Sequence, residues 1–586
     1  MQEAVEKQAV QGPHPDTDTH LPVIQENPAT LNALIDISCH RYRDLPAVGM
    51  AMEKPLTYKV YHQHILALAA YMRDNGIKQG HRVAILAENS HVWGMVYLAI
   101  VRQGAIAVPI LPDLPEADVH HILSEMECKL IFLTQRQIEK IYDFKTQLKT
   151  VVTLDNYRDD TGLIAPTPFT EYLAAALQAF GQAADEESLQ FPKVDGEDLA
   201  SILYTSGTSG FSKAVMLSHG NLCINAMSCN QIFNFSAGNV FLSVLPISHT
   251  YEFTVGFVVP LSQGCRIVYA GKSPTPAILQ KICEHERPHA MLVVPLIMEK
   301  IYKKRVLPTV EKSALLNFVC RFNMGRKVIY KKIARKLLAF FGGRLLLMGI
   351  GGAALNPEVE TFLRQAGFPY IVGYGLTEAA PLLAGGPFGD PDVAVGSTGK
   401  PVPGVDIRIA DPNSTTGIGE IEARGGNIMQ GYWSDPEATN DVMTEDGWLK
   451  TGDLGLLDEG GNLSIKGRSK SVIVLANGEN VYPEIIEHKL NAYTFVVEAL
   501  VVENRGMLEA WIYPDYEFID DETQGQSRSQ RHQFIMGLLE DMRTTVNEQV
   551  PVSSRLSRVL ERREPFIKTA THKIKRYLYS AENMSG

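Results

Sequence analysis

Leu199-Ala-Ser-Ile-Leu-Tyr-Thr-Ser-Gly-Thr-Ser-Gly-Phe-Ser-Lys213 joins an apolar lead-in to a loop of hydroxyls and glycines that ends in a lysine. Glycines let a backbone turn tightly and expose its N–H groups, and hydroxyls add further donors. Thr205, Ser206, Gly207, Thr208, Ser209 and Gly210 can therefore wrap a polyphosphate. Lys213 would set a positive charge against the phosphates. The order is not GxxxxGK[ST], so this is not a Walker loop. Taken alone, the stretch reads equally well as a flexible Ser/Gly linker.

Outward from this loop, short apolar runs alternate with amphipathic stretches from about Pro22 to about Arg468. Arg82-Val-Ala-Ile-Leu-Ala87, Lys129-Leu-Ile-Phe-Leu-Thr134, Asn239-Val-Phe-Leu-Ser-Val-Leu245 and Ala290-Met-Leu-Val-Val294 each read as a buried strand beside a helical pattern. That alternation predicts an α/β architecture of packed, mostly parallel sheets and helices. After Arg468 the texture changes. Ser471-Val-Ile-Val-Leu-Ala476 reads as a strand, and Pro483-Glu-Ile-Ile-Glu-His-Lys-Leu490 as a helix with proline in its first turn. Ala499–Val502 and Leu508–Tyr513 read as two β-rich runs, and the polar stretch from Asp520 to Gln530 as a loop or linker. The expected division is a flexible leader over 1–22, a large domain over 23–468 and a small C-terminal α+β domain over 469–586.

A chain of 586 residues is too long for one core. Its balance of 45% hydrophobic and 21% charged residues is that of a globular enzyme. A formal charge of −11 argues against nucleic acid as the main partner. The seven cysteines are scattered, odd in number and without a CxxC pair, as expected of reduced thiols in a cytoplasmic protein. The N-terminus lacks the apolar stretch of a secretory signal. No uninterrupted apolar run reaches the roughly 18–20 residues that span a bilayer. The nearest, Leu337–Leu355, is broken by Arg344 and glycines.

Residues 301–344 hold twelve basic side chains against one acidic, Glu311, interleaved with leucine, isoleucine and phenylalanine. A basic amphipathic helix here can lie on an anionic membrane surface, as a peripheral contact, or form a solvated face that balances acidic neighbours. Cys283, Glu284, His285, Glu286 and His289 lie close together, but their spacing fits no zinc pattern.

Further motifs follow the glycine loop in order: Leu245-Pro-Ile-Ser-His-Thr-Tyr-Glu252, Gly349-Ile-Gly-Gly-Ala-Ala-Leu355, Gly373-Tyr-Gly-Leu-Thr-Glu378, Trp448-Leu-Lys-Thr-Gly-Asp453, Lys466-Gly-Arg-Ser-Lys470, Ala476-Asn-Gly-Glu-Asn-Val-Tyr-Pro-Glu484 and Lys568-Thr-Ala-Thr-His-Lys-Ile-Lys-Arg576. With them the chain resembles, from roughly Leu56 to Ser580, the adenylate-forming superfamily of acyl- and aryl-CoA synthetases, peptide-synthetase adenylation domains and firefly luciferase. The His-x-x-Glu ending at 249–252 and the segment from Asp446 to Glu487 resemble its long-chain fatty acid members. It departs from the family pattern at Ser212 and Ala214, where proline and glycine are usual, and at His572, where many relatives have glycine.

The resemblance implies ATP, Mg²⁺ and coenzyme A as cofactors and a fatty acid as substrate. It implies that His249 sits between acyl pocket and adenylate, and that Gly351, Gly352 and Ala353 flank adenine. Tyr374 and Gly375 would also meet adenine, Thr377 the α-phosphate, and Glu378 with Thr208 the Mg²⁺. Asp453 would take both ribose hydroxyls, since an ionised carboxylate only accepts hydrogen bonds. Arg468 would make a second ribose or phosphate contact, and Lys470 would be the hinge of a mobile C-terminal lid. Gly478 would line the coenzyme A tunnel, and Lys573 would contact carboxylate and α-phosphate oxygens during adenylation. Two other readings stay open: transfer of the acyl group to a separate acyl carrier protein, and a catalytically silent acyl- or nucleotide-binding protein.

Overall fold

The hairpin that carries the glycine loop sits at the junction of two kinds of pairing. Leu199–Thr205 and Lys213–Ser218 run antiparallel, with Thr205 opposite Lys213, and Leu199–Thr205 also lies parallel to Ile106–Ile110. At the hairpin's far end Ser218 accepts the Asn221 N–H while the Asn221 side chain accepts the Ser218 N–H. This reciprocal cap turns the strand directly into the helix His219–Ile232. The computed structural model describes residues 28–579, apart from 145–146, 160–161, 182–185, 206–212, 234, 272–273, 312–313, 388, 476–479 and 570–572. The expected leader, Ser206 to Gly210 and Gly478 thus lie outside the described residues.

Two large sheets organise the chain. One has eight strands, parallel from Leu199–Thr205 through Ile106–Ile110, Arg82–Leu86, Leu130–Leu133 and Thr150–Thr153 to Thr167–Pro168. The other has nine, with a parallel centre of Tyr370–Gly375, Leu347–Ile350, Ala290–Val293, Val240–Ser243 and Arg266–Tyr269. Period-2 alternation sends each strand's side chains into two cores. Val83 and Ile85 of one sheet and Ala290 and Leu292 of the other share one cluster. Ala84 and Leu86 face a second, and Met291 and Val293 a third. Helices Tyr58–Asp74 and His91–Arg102 contribute to the shared cluster. Burial on both faces is why these strands read as continuous apolar runs.

A four-stranded antiparallel sheet follows, of Val405–Ala410, Gly419–Gly425, Leu449–Leu457 and Leu463–Arg468. Beyond it, a hydrophobic cluster is drawn entirely from residues between Val481 and Val559. It joins the sheet of Val496–Asn504, Met507–Pro514 and Leu556–Glu561 to the helices Pro483–Asn491 and Arg528–Glu548. The architecture is the expected α/β body followed by an α+β part.

Three local expectations are corrected. The loop or linker expected over Asp520–Gln530 is confined to residues 523–527: helix Tyr516–Glu522 runs into the segment and helix Arg528–Glu548 begins within it. Asp515 caps the first helix, and Ser527 with Gln530 forms a capping box on the second, so polar residues start helices here. The strand expected over Ser471–Ala476 is only Ile473–Val474, preceded by a 3₁₀ turn over Ser469–Ser471. The basic segment 301–344 is a broken series of helical pieces ending in Asn323–Phe340. Its Lys303 does not face outward: the ammonium donates to the main-chain oxygens of Asn491, Tyr493 and Val496 at 2.6, 3.0 and 3.4 Å.

Candidate active site

Strand ends and the turns that leave them deliver the polar side chains to one cleft of about 2850 Å³. Thr205 and Lys213 stand at the open end of their hairpin, where the Thr205 hydroxyl donates to the Lys213 carbonyl at 3.4 Å. The Lys213 ammonium lies 4.4 Å from the ring centre of Tyr432, a contact worth about 0.5–2 kcal/mol. Tyr432 in turn donates its hydroxyl to Glu378 at 3.0 Å. One tyrosine thus meets the lysine over its ring and the carboxylate at its hydroxyl.

The turn Thr377–Ala379 begins one residue after the strand Tyr370–Gly375 and is braced from outside. Asn427 donates to the Ala379 carbonyl at 2.7 Å, and Asn225 exchanges two hydrogen bonds with the main chain of Leu382. A Cβ at Gly375 would stand 2.0 Å from the Pro381 carbonyl oxygen, so only glycine lets the chain double back there. Thr377 meets the Thr250 hydroxyl at 3.5 Å, which ties this turn to the loop that holds His249.

That loop is held by Asn89, whose side chain accepts the Ile247 N–H at 2.8 Å and donates to Ser243 at 3.1 Å. The Tyr251 N–H donates to His249 Nδ1 at 3.2 Å, which leaves the proton of the neutral ring on Nε2. Burial, assisted by the Lys573 charge, pushes the His249 pKa down to about 4. Three residues on, Glu252 is buried in a π-helical turn, Tyr251–Val258, where burial pushes its carboxyl up to about 8. It is therefore uncharged at neutral pH.

Across the cleft, Asp453 and Arg468 are register partners on adjacent strands, with Arg468 Nε 3.2 Å from Asp453 Oδ1. Tyr374 donates its hydroxyl to Asp453 Oδ2 at 2.9 Å. Burial and this carboxylate push the phenol well up, so it remains a donor. The Tyr374 ring belongs to the central core, so its hydroxyl rather than an open aromatic face is what engages the Asp453 side of the cleft. Gly351 and Gly352 follow the strand Leu347–Ile350. A Cβ at Gly351 would press to 3.0 Å on the Tyr251 ring, so a protein side chain already uses the space this glycine leaves. Gly352 has a φ of +84°, and Ala353 lines the cleft beside it.

Lys573 arrives from the far end of the chain. Its main-chain N–H donates to the Thr569 hydroxyl at 3.2 Å and its carbonyl accepts the Thr569 N–H at 2.8 Å, which closes the turn that carries it. The side chain is exposed within the cleft, where crowding by protein and then the Arg468 charge lower its pKa, against the pull of the Asp453 and Glu378 carboxylates. Arg576 pairs with the buried Glu487 of the helix Pro483–Asn491, and Lys568 with Glu498 of the strand Val496–Asn504, so the cations around Lys573 fasten this segment to the C-terminal helix and sheet. Lys470 is exposed in the turn Ser469–Ser471, two residues past Arg468, where the strand Leu463–Arg468 ends. Val474 pairs with Asn480 on either side of Gly478.

The structure thus brings Thr205, Lys213, His249, Thr377, Glu378, Tyr374, Asp453, Arg468 and Lys573 to one cavity. The bracing residues Asn89, Asn225, Asn427 and Tyr432 carry no spacing signal in the sequence. Among the described residues no cluster of three or more His, Cys, Asp or Glu is placed to hold a metal. In the 283–289 cluster, Glu286 instead pairs with Arg266 at 3.0 Å and His289 accepts the Val240 N–H.

The family pattern described as AMP-binding enzyme matches residues 35–433. The chain belongs to this AMP-binding enzyme family. It is 29% identical over 471 residues to long-chain-fatty-acid–CoA ligase FadD15 of Mycobacterium tuberculosis, covering 75% of this chain and 73% of that protein. It is 28% identical over 501 residues to the long-chain-fatty-acid–CoA ligase heimdall of Drosophila melanogaster, covering 78% and 72%. Among solved structures, ATP-bound MatB from Rhodopseudomonas palustris superposes with a TM-score of 0.70 at 23% identity, over 94% of this chain and 98% of that one. The anthranilate CoA ligase AuaEII with anthranoyl-AMP gives 0.75 at 18%, over 94% and 96%. These two show the shared fold. No helix among the described residues is long and apolar enough to cross a membrane.

Proposed function

We propose that this enzyme joins a long-chain fatty acid to coenzyme A through an acyl-adenylate made from ATP. The observation that carries the reading is the position of Lys573, which lines the same cavity as His249, Arg468, Asp453 and Glu378 although its segment packs beside the small C-terminal sheet. An ammonium among groups suited to ribose, phosphate and metal is what attack of one anion on another requires. The relatives named as long-chain-fatty-acid–CoA ligases support the substrate class.

In the first half-reaction the fatty carboxylate attacks the α-phosphorus and pyrophosphate leaves. Lys573 offsets charge on the carboxylate and α-phosphate oxygens, Thr377 donates to the α-phosphate, and the 205–210 loop with Lys213 holds the remaining phosphates. Asp453 accepts the ribose hydroxyls with the lone pairs that Tyr374 and Arg468 leave free. Neutral His249 borders the acyl side. Glu378 lines the cleft with a hard oxygen donor, as a Mg²⁺ site completed by Thr208 and substrate phosphates requires. When bound, that ion neutralises phosphate charge.

In the second half-reaction the coenzyme A thiol attacks the acyl carbonyl and AMP leaves. Lys573 and the Gly478 segment cannot both serve one site at once, so residues 469–586 act as a lid that turns about Lys470 against the body 23–468. The test supplies ATP, Mg²⁺ and acids of graded chain length, with and without coenzyme A, and follows pyrophosphate, AMP and thioester. Thioester with long acids is expected. Pyrophosphate without thioester would move the acceptor to an acyl carrier protein, and no pyrophosphate with any acid would overturn the ligase reading in favour of a silent binding protein.

A further inference from the structure

The helix Asn323–Phe340 packs inward through Ile329, Ile333, Ala334 and Leu337. Its opposite face exposes Lys327, Lys331, Lys332, Arg335 and Lys336, a row at helical spacing. At the N-terminal end of that row the exposed residues turn apolar: Phe322 is 59% exposed, Met324 83% and Val328 56%, joined by Phe318 at 58% from the preceding helical piece. The two phenylalanine rings meet edge-on, 5.5 Å apart. Single exposed apolar residues are ordinary, but four within eleven positions beside a row of cations form a patch.

We propose that this face docks on an anionic lipid bilayer, with Phe318, Phe322, Met324 and Val328 entering the interface and the lysines and Arg335 lying against the headgroups. Charge favours that occupant. The whole chain carries −11, yet the helix Asn323–Phe340 contains no acidic residue and exposes Lys327, Lys331, Lys332, Arg335 and Lys336 on this face. An acidic protein approaches an anionic surface only where its cations are gathered on one side, and each one near the surface strengthens binding about fivefold. A nucleic acid duplex would use the cations but leave the apolar tip in water, whereas a bilayer interface uses both.

The same helix reaches the cleft at its other end. Leu337 and Phe340 line the cavity together with exposed Lys304 and Arg305, and the Arg305 guanidinium lies 4.8 Å from the Phe340 ring centre. From Met324 to Phe340 is about 24 Å at the ordinary helical rise. On the reading that the substrate is a long-chain acid, docking this face would bring the cleft border beside the phase in which such an acid dissolves.

Full-length protein is sedimented with vesicles of phosphatidylcholine, or of phosphatidylcholine mixed with phosphatidylglycerol, without ATP or acid. Binding to the mixed vesicles is expected to be at least about tenfold tighter and to weaken with salt. The variant Lys327→Glu/Lys331→Glu/Arg335→Glu should lose the preference. The milder Lys327→Gln/Lys331→Gln should lose part of it, and Phe318→Ser/Phe322→Ser should weaken binding about tenfold. Each variant is checked against the parent melting temperature. Equal binding to both vesicle types, unchanged binding by folded variants, or binding to duplex DNA without binding to vesicles would overturn the proposal. No substrate is present, so this outcome is separate from the pyrophosphate assay that tests the ligase reading.

Discussion

Lys303 caps the helix that ends at Asn491: its ammonium donates to the Asn491 carbonyl at 2.6 Å. A cation suits this position because the last carbonyls of a helix carry its partial negative charge. Burial lowers the Lys303 pKa, while Glu299 and Asp515 act to keep it charged. The contact links the large sheets' side of the chain to the small C-terminal sheet's side, in the arrangement that presents Lys573 to the cleft.

Replacing this lysine is therefore expected to loosen that arrangement. Lys303→Met should slow pyrophosphate release about tenfold and expose the 469–471 turn to proteolysis, with thioester formation from supplied acyl-adenylate less affected. Unchanged adenylation and unchanged cleavage would show that the contact carries no weight.

Lys573→Ala should abolish acyl-adenylate formation, by about 100-fold or more, with the circular dichroism spectrum unchanged. Transfer from preformed acyl-adenylate to coenzyme A should survive, which separates this lysine's role from general damage to the fold. Measuring both half-reactions on one preparation decides it.

Tyr374→Phe removes the hydroxyl from Asp453 and nothing else from the core. Loss of a hydrogen bond to a charged acceptor costs about 1.5–3 kcal/mol, so ATP should bind about tenfold or more weakly by calorimetry. Undiminished affinity would mean that Arg468 alone orients the carboxylate.

Glu252 makes stability depend on pH. Its carboxyl has a pKa of about 8 in the fold against 4.5 as its ordinary value, so between those values the folded chain holds a proton that the unfolded chain has lost. Its contribution is complete below 4.5 and disappears as pH rises through about 8. His249 acts in the opposite sense, favouring the fold above 6.5 and opposing it as pH falls toward about 4. Glu252→Gln should accordingly raise the melting temperature at alkaline pH more than at acid pH. A constant offset across the range would contradict the buried neutral carboxyl.

Much of the fold was legible because burial on both faces leaves a plain mark. Arg82–Leu86, Leu130–Leu133, Val240–Ser243 and Ala290–Val293 are strands within two residues of their apolar runs. The boundary residues of 520–530 misled because polarity describes solvent exposure, and Asp515 and Ser527 use the same polar chemistry to begin helices. Within the cleft, the ordered motifs and the family resemblance they carry pointed to Thr377, Glu378, Asp453, Arg468 and Lys573. Asn89, Asn225 and Asn427 left no such mark, since each braces main chain more than forty residues away.

By itself, then, the sequence determined which segments become buried strands, which loops can turn on glycine, and, through the order of its motifs, which family the chain resembles. Only the tertiary structure decided that Tyr374 spends its hydroxyl on Asp453, that Glu252 is buried without charge, and that Lys303 leaves its basic neighbours to cap a distant helix. The reason is physical: a periodic pattern reports what a residue's own element needs, whereas partner, burial and pKa are set by segments that meet only after the chain has folded.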